Sequence, residues 1–248
     1  MADATTTRTA AMVVIGNEIL SGKVVDSNSP FLARRLREAG ISLERIKTIP
    51  DELDTIASTV ASYSDRYDFV FTSGGVGPTH DDMTIAGIAR GFGKAVVEHP
   101  VLRRSIESVA GPEPNSSMLK MAEVPEGADL LDGGSRSFPT VVLGNVYILP
   151  GIPEIFEKKV AVLVDRFRGA PFYLREIFVA ADETSIADFL HETLAEFPDL
   201  LLGSYPKLAN PEFKVRLTLE SKDENYLDRA LDDLISRMPN QYIVRVER

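Results

Sequence analysis

Cysteine and tryptophan are absent from this 248-residue chain, and histidine occurs three times, at His80, His99 and His191. Without cysteine there is no disulfide, no thiolate metal site and no cysteine nucleophile. Histidines so far apart do not suggest a histidine-rich metal cage. Positive charge is scarce beside negative: 27 Lys and Arg stand against 37 Asp and Glu, a formal net charge of −10. That argues against non-specific nucleic-acid binding, which needs a basic face to neutralise phosphates, though not against a locally basic pocket. Long apolar runs are missing too. No stretch suffices to span a bilayer, and Met1 to Thr9 is small and polar, with no apolar signal core. No membrane and no nucleic-acid partner are therefore expected, and the default location is cytoplasmic. The 44% hydrophobic content suits a globular chain of one large or two modest domains.

What is present centres on Thr72-Ser73-Gly74-Gly75-Val76-Gly77-Pro78-Thr79-His80-Asp81-Asp82-Met83-Thr84. The apolar run Asp68 to Phe71 before it reads as a buried strand, and Ile85, Ile88, Ala89 and Phe92 after it fall at helical spacing. A glycine-rich turn between strand and helix can aim several backbone N–H groups at one anion, aided by the helix dipole. The glycines also let a ligand come close to the backbone. Asp81 and Asp82 beside such a turn would repel an anion unless a cation lay between, which suggests a metal-bridged phosphate or diphosphate. Either acid alone would serve equally as a helix cap. The Gly-Lys-Ser/Thr of a Walker loop and the GxGxxG spacing of a dinucleotide fingerprint are both missing.

Taken in order, residues 1–8 read as a frayed, disordered tail and Ala10 to Ile15 as a doubly buried strand. The polar turn Gly16-Asn17-Glu18 follows. Ser27-Asn28-Ser29-Pro30 starts a helix that Gly40 stops. Ile41 to Ile49 reads as a strand, and Pro50-Asp51-Glu52 turns into a helix from Leu53 to about Tyr67. The resulting βαβαβα order predicts a parallel sheet with helices on both faces. The turns at Gly16 to Glu18, Asp51-Glu52 and Ser73 to Asp82 then share the carboxyl edge and can converge on one ligand. Helices are expected over Val101 to Val109 and Ser117 to Ala122, with a turn at Val124 to Gly127. Thr140 to Leu143 and Val146 to Leu149 form a hairpin around Gly144-Asn145. Pro150-Gly151-Ile152-Pro153 then opens a helix to about Phe167, either adding backbone donors to the site or serving as a plain turn.

Gly169-Ala170-Pro171 reads as a linker, and residues 169–248 follow as a small α+β domain. Its strands Phe172 to Val179, Leu200 to Leu202, Phe213 to Leu219 and Gln241 to Val246 alternate with helices Ser185 to Phe197 and Glu224 to Met238. This is βαββαβ, the ferredoxin-like order. Tyr205, Pro206, Lys207 and Asn210 admit a lid, an oligomer contact or, on balance, a structural role.

With these residues in view, the chain resembles the MoaB/MogA molybdopterin-binding family, and within it the N-terminal part of CinA (competence/damage-inducible protein A) and the matching domain of eukaryotic FAD synthase. The resembling segments are Gly16 to Leu20, Asp26-Ser27-Asn28, Gly74 to Thr84 and Leu149 to Pro153, with Gly203 to Pro206 in the trailing module. The resemblance spans residues 9–168. It implies a three-layer α/β/α domain with a mostly parallel sheet that binds a pterin or adenine dinucleotide through its phosphates. It further implies divalent-metal-dependent hydrolysis of FAD or ADP-ribose, with Mg, Mn or Co as the metal and potassium as a further candidate. By position Glu18, Asp81 and Asp82 would hold the metal. Gly74, Gly75, Gly77 and Thr79 would cradle phosphate, flanked by Ser73, Pro78 and Thr84. Gly16, Asn17, Asp26, Asn28 and Asp51, with Pro150, Gly151 and Pro153, would line the pocket. Asn17 departs from the Gly-Asp-Glu common in the family and brings no charge. The remaining length leaves no room for the deamidase domain of longer CinA proteins or the adenylyl-transfer domain of FAD synthase, so those activities are not expected. A homo-oligomer, most often a dimer, is implied.

Two functions therefore compete. One is a metal-dependent nucleotide pyrophosphatase, in which Glu18, Asp81 or Asp82 would ligate metal or take a proton and His80 is an acid or base candidate. The other is a molybdopterin-binding module without hydrolysis, its acids only capping a helix. Molybdopterin adenylyl transfer, on the same fold, ranks below both.

Overall fold

The computed structural model describes residues 7–111, 113–131 and 138–248. Contacts divide the chain into two compact units, with the boundary in sequence between Gly169 and Ala170. In the first, β1 (Thr9–Ile15), β2 (Ser42–Ile49) and β3 (Phe69–Ser73) pair in parallel, with β1 between its neighbours. The crossovers are α2 (Asn28–Glu38) and α3 (Leu53–Ser64), and a four-residue helical turn, α1 (Asn17–Leu20), follows β1. Beyond β3 come α4 (Thr84–Gly91), β4 (Val96–Glu98), α5 (Pro100–Ala110), α6 (Ser116–Lys120) and β5 (Glu123–Pro125). Next are β6 (Asp129–Leu131), β7 (Thr140–Leu143), β8 (Val146–Leu149) and α7 (Pro153–Asp165). The sheet order is β2-β1-β3-β8-β7-β6. β8 runs parallel to β3, while β7 and β6 fold back antiparallel. The expected hairpin is present, with Gly144 at φ 59° in its turn.

The doubly buried reading of β1 holds: Ala10 to Ile15 are all buried, and alternate residues feed opposite cores. Met12 and Val14 pack with Leu32 and Leu36 of α2, Phe156 and Val160 of α7, and Phe71 and Tyr147. Val13 and Ile15 pack with Ile56 and Val60 of α3, Ile88 of α4 and Leu102 and Ile106 of α5. The unit is thus three layers, helix, sheet and helix. Within the first core Phe69 stacks on Phe167 at 4.6 Å and Phe71 on Tyr147 at 5.2 Å. Lys159, on the same helix face as Val160, is buried against Thr140 Oγ1 at 3.3 Å and the Phe138 carbonyl.

Several elements differ from expectation. Residues 1–6 of the expected tail lie outside the described residues, but Arg8 is part of the fold. Its guanidinium donates to the Phe167 carbonyl and lies 5.4 Å from the centre of the Phe69 ring. The turn expected over Val124 to Gly127 is formed by Glu126 and Gly127, while Val124 and Pro125 belong to strand β5, paired antiparallel with β4. Three-residue strands carry too little periodicity to be read from sequence.

The second unit is a four-stranded antiparallel sheet in the order β10-β11-β9-β12, from β9 (Tyr173–Val179), β10 (Leu201–Pro206), β11 (Val215–Ser221) and β12 (Ile243–Glu247). α8 (Glu183–Glu196) and α9 (Glu224–Arg237) complete the βαββαβ order. Ile177, Val179, Leu217 and Leu219 of the sheet meet Ile186, Leu190, Leu227 and Leu231 of the helices. β10 runs further than expected, to Pro206. Tyr205 pairs with Arg216, whose guanidinium lies 5.2 Å from its ring centre, and the ring lies over Gly203, where a Cβ would meet it at 2.7 Å. Lys207 N donates to the Lys214 carbonyl, and Asn210 Oδ1 accepts from Glu212 N, so this segment forms the β10–β11 connection. No helix among the described residues is long and apolar enough to cross a membrane.

Candidate functional site

Parallel strands bring their following turns to one edge, and here three of them meet. Gly16, after β1, donates to the Ile49 carbonyl at the end of β2, and Gly74, after β3, donates to the Leu149 carbonyl at the end of β8. Between them opens a cleft of about 90 Å³. Its polar wall is Glu18, Asp26, Ser27, Asn28 and Ser73, its backbone floor includes Gly74 and Gly151, and its apolar wall is Val14, Ile15, Ile19, Val24, Val25 and Pro153.

Asn28 ties the turns together. It is 5% exposed, and its Nδ2 donates both to Ser73 Oγ and to the Gly151 carbonyl, each at 2.9 Å. That fixes the amide orientation and leaves Oδ1 buried with no partner among the described residues. An unsatisfied buried acceptor costs free energy that a donor on a ligand or water would recover. Asp26 Oδ1 accepts from Ser29 N at 3.0 Å and so secures the start of α2. The Glu18 carboxylate lies back over Gly16, where a Cβ would come within 2.4 Å of it. Asp51 Oδ2 accepts from Asn17 N at 2.8 Å, which draws the second turn onto the first.

The glycine-rich turn has two halves. In the inner half Gly74 and Gly75 take positive φ, 104° and 65°. A Cβ at Gly74 would lie 2.1 Å from the Ile15 carbonyl oxygen, and one at Gly75 would lie 2.4 Å from Thr84 Oγ1. Thr84, fully buried, donates its hydroxyl to the Gly74 carbonyl at 2.8 Å, and its N–H to that of Gly75 at 3.0 Å. In the outer half Asp82 Oδ2 accepts from Thr79 N and Thr79 Oγ1. Gly77 leaves room for that carboxylate, since a Cβ there would meet it at 2.7 Å. Hydrogen bonding from Thr79 and from its own backbone N–H holds the Asp81 carboxyl below the usual range. Asp81 lies 3.9 Å from the solvent-exposed His80 imidazole.

Of the residues singled out from sequence, Glu18, Asp26, Asn28, Ser73, Gly74, Gly151 and Pro153 line the cleft. Gly16, Asn17, Asp51, Gly75, Thr84 and Pro150 stand behind it as framework, and Gly77, Pro78, Thr79, His80, Asp81 and Asp82 form the outer turn. Neither Asp81 nor Asp82 caps α4, whose N-cap position is Met83. The expected gathering of Glu18, Asp81 and Asp82 is not seen: among the described residues no group of three or more His, Cys, Asp or Glu is placed to hold a metal. Asp82 spends an oxygen on Thr79 instead, and Glu18 faces the cleft rather than the outer turn. Sequence reasoning missed the apolar wall. Val24 and Val25 are 50% and 85% exposed, and two adjacent valines in a polar connection were the available signal. It also missed Lys120, whose ammonium donates to the Thr79 carbonyl.

Comparison with known proteins places this geometry. Residues 11–169 match the family model described as a probable molybdopterin binding domain, and residues 171–247 match the FAD synthase middle domain. A probable FAD synthase of Caenorhabditis briggsae is 33% identical over 92% of this chain and 50% of its own length. The chain therefore spans about half of that protein. A protein of Archaeoglobus fulgidus is 33% identical over 79% of this chain and 85% of its own. The crystal structure of CinA from Thermoplasma acidophilum, a protein described as of unknown function, matches with a TM-score of 0.60 at 30% identity, over 65% of this chain and 98% of that one. The chain belongs to the molybdopterin-binding domain family, with a FAD synthase middle domain following.

Proposed function

We propose that the first unit binds a flavin or adenine dinucleotide with its diphosphate on the Ser73 to Thr79 turn and hydrolyses the phosphoanhydride of FAD or ADP-ribose. The observation that carries this is the buried, unpartnered Asn28 Oδ1 beside a turn held open by Gly74 and Gly75. The cleft's side chains are mostly acceptors, so it favours a ligand group bearing hydroxyl or N–H donors, such as a ribose or the edge of a ring. At about 90 Å³ it takes such a group while a larger ring rests against Val24 and Val25. Glu18 is the acid of the three that lines the cleft, and in this reading it orients a water and accepts its proton.

Among the described residues the acids do not build a cage for a divalent ion. AMP release from FAD and from ADP-ribose, measured in EDTA and then with Mg²⁺, Mn²⁺ or Co²⁺, tests both the reaction and its need for metal. Release lost in Glu18→Ala supports the reading, and no release under any condition overturns it.

The dispersal of Glu18, Asp81 and Asp82 favours a second reading, a pterin-phosphate binding module without hydrolysis. Molybdopterin affinity in the absence of any AMP release would select it. Under either reading the chain is taken to act as a dimer, which sedimentation equilibrium tests directly.

A further inference from the structure

We infer that Lys120 is the cation of the phosphate seat: its ammonium, now on the Thr79 carbonyl, turns to an oxygen of the ligand's diphosphate when the ligand is bound. This rests on the reading of the glycine turn as that seat. Lys120 is the last residue of α6 and reaches the turn from 41 positions away in the chain. Its approach is built. Asn115 Oδ1 caps α6 by accepting from Met118 N at 2.9 Å. Ala122, two residues on, is fully buried, and its carbonyl accepts from His99 N at 2.8 Å. Glu123 then enters β5.

Electrostatics supply the reason for such a residue. Glu18, Asp51, Asp81 and Asp82 stand on the three turns, and Asp26 lies just before α2. A diphosphate brought among them is repelled unless a cation compensates, and the acids do not gather a metal on their own. An ammonium has three donors, and that of Lys120 donates to the neutral Thr79 carbonyl. A phosphate oxygen is the stronger acceptor for an ammonium, because its negative charge adds an ion-to-ion attraction that a neutral carbonyl lacks.

The test is titration calorimetry of ADP-ribose into the full chain and into Lys120→Ala, Lys120→Gln and Lys120→Arg, at low and moderate salt. The expected result is affinity about tenfold or more weaker in Lys120→Ala. Lys120→Arg should recover most of it. Lys120→Gln, which keeps a donor without charge, should not, and the salt dependence should be shallower in both neutral variants. Equal affinity of Lys120→Ala and the parent overturns the inference while leaving the proposed function standing. Full recovery in Lys120→Gln overturns it as well, since the lysine would then only hold the turn. A parent chain that binds neither ADP-ribose nor FAD removes the phosphate seat itself. Thermal melting accompanies each titration, and the Gln and Arg pair decides the matter if Lys120→Ala fails to fold.

Discussion

Asp82 Oδ2 accepts both the backbone N–H and the hydroxyl of Thr79, at 2.7 and 2.5 Å. The carboxylate thus closes the outer half of the turn on itself. Asp82→Asn keeps an acceptor and should retain that closure. Asp82→Ala should lose it, lowering stability by about 1 kcal/mol and weakening ADP-ribose binding more than Asp82→Asn does. Melting curves and calorimetry on the pair give the answer. Unchanged affinity in Asp82→Ala would take the outer turn out of the phosphate seat.

Gly74 and Gly127 make a controlled comparison. Both take positive φ, 104° and 82°, but a Cβ at Gly127 meets nothing within 4 Å whereas one at Gly74 meets the Ile15 carbonyl at 2.1 Å. Gly127→Ala should therefore cost only the backbone conformation, about 1 kcal/mol. Gly74→Ala adds a steric clash and should cost about 3 kcal/mol or more. Urea unfolding of the two variants measures the difference, and similar midpoints would show that β1 yields to the intruding methyl.

Asn28→Ala removes the donors to Ser73 and to the Gly151 carbonyl together. A loss of about 1–3 kcal/mol is expected from the groups left unpaired. The ligand should lose its acceptor at the same time. Asn28→Asp offers oxygen on both sides and should fail to hold Gly151, so neither variant should bind as the parent does.

Lys159 gives a pH dependence. Burial pulls its ammonium down from 10.5 to about 8. Between those values the unfolded chain holds a proton that the folded chain has released, so stability rises with pH across the window. Below about 8 both states are protonated and the folded one bears the cost of burying charge. Lys159→Met should abolish this slope, and unfolding free energies of parent and variant at pH 8 and pH 10 test it. Parallel slopes would mean that water reaches the ammonium.

Much of this was legible in the sequence because strand-turn-helix alternation obeys strong local rules. The apolar run at Ala10 to Ile15 predicted a strand buried on both faces, and it is. The alternation also predicted that the turns after β1, β2 and β3 share an edge, and the bond from Asn17 N to Asp51 and the approach of Gly74 to the Ile15 carbonyl join them. The carboxylates were not legible in the same way. Asp81 and Asp82 are adjacent, yet Asp82 takes the Thr79 backbone N–H while Asp81 lies beside the exposed His80, a choice made by the path of the turn and by the space left at Gly77. Lys120 was out of reach for a different reason. Its arrival depends on the weakly patterned stretch from Phe92 to Leu131, where β4 and β5 are three residues each.

The contact of Gly74 with the Ile15 carbonyl has a mechanical consequence. The ends of β1 and β3 are wedged together, and Thr84 bolts the start of α4 to the same point. That half of the turn cannot pivot without opening the sheet. Val76 and Met83 pack against the core, and the stretch between them, Gly77 to Asp82, is restrained by the pairing of Thr79 with Asp82 and by the reach of Lys120, contacts near the surface that trade readily with water. On the proposed reading a ligand would meet a stiff floor and a more yielding rim, and any rearrangement on binding would be confined to about six residues, Gly77 to Asp82.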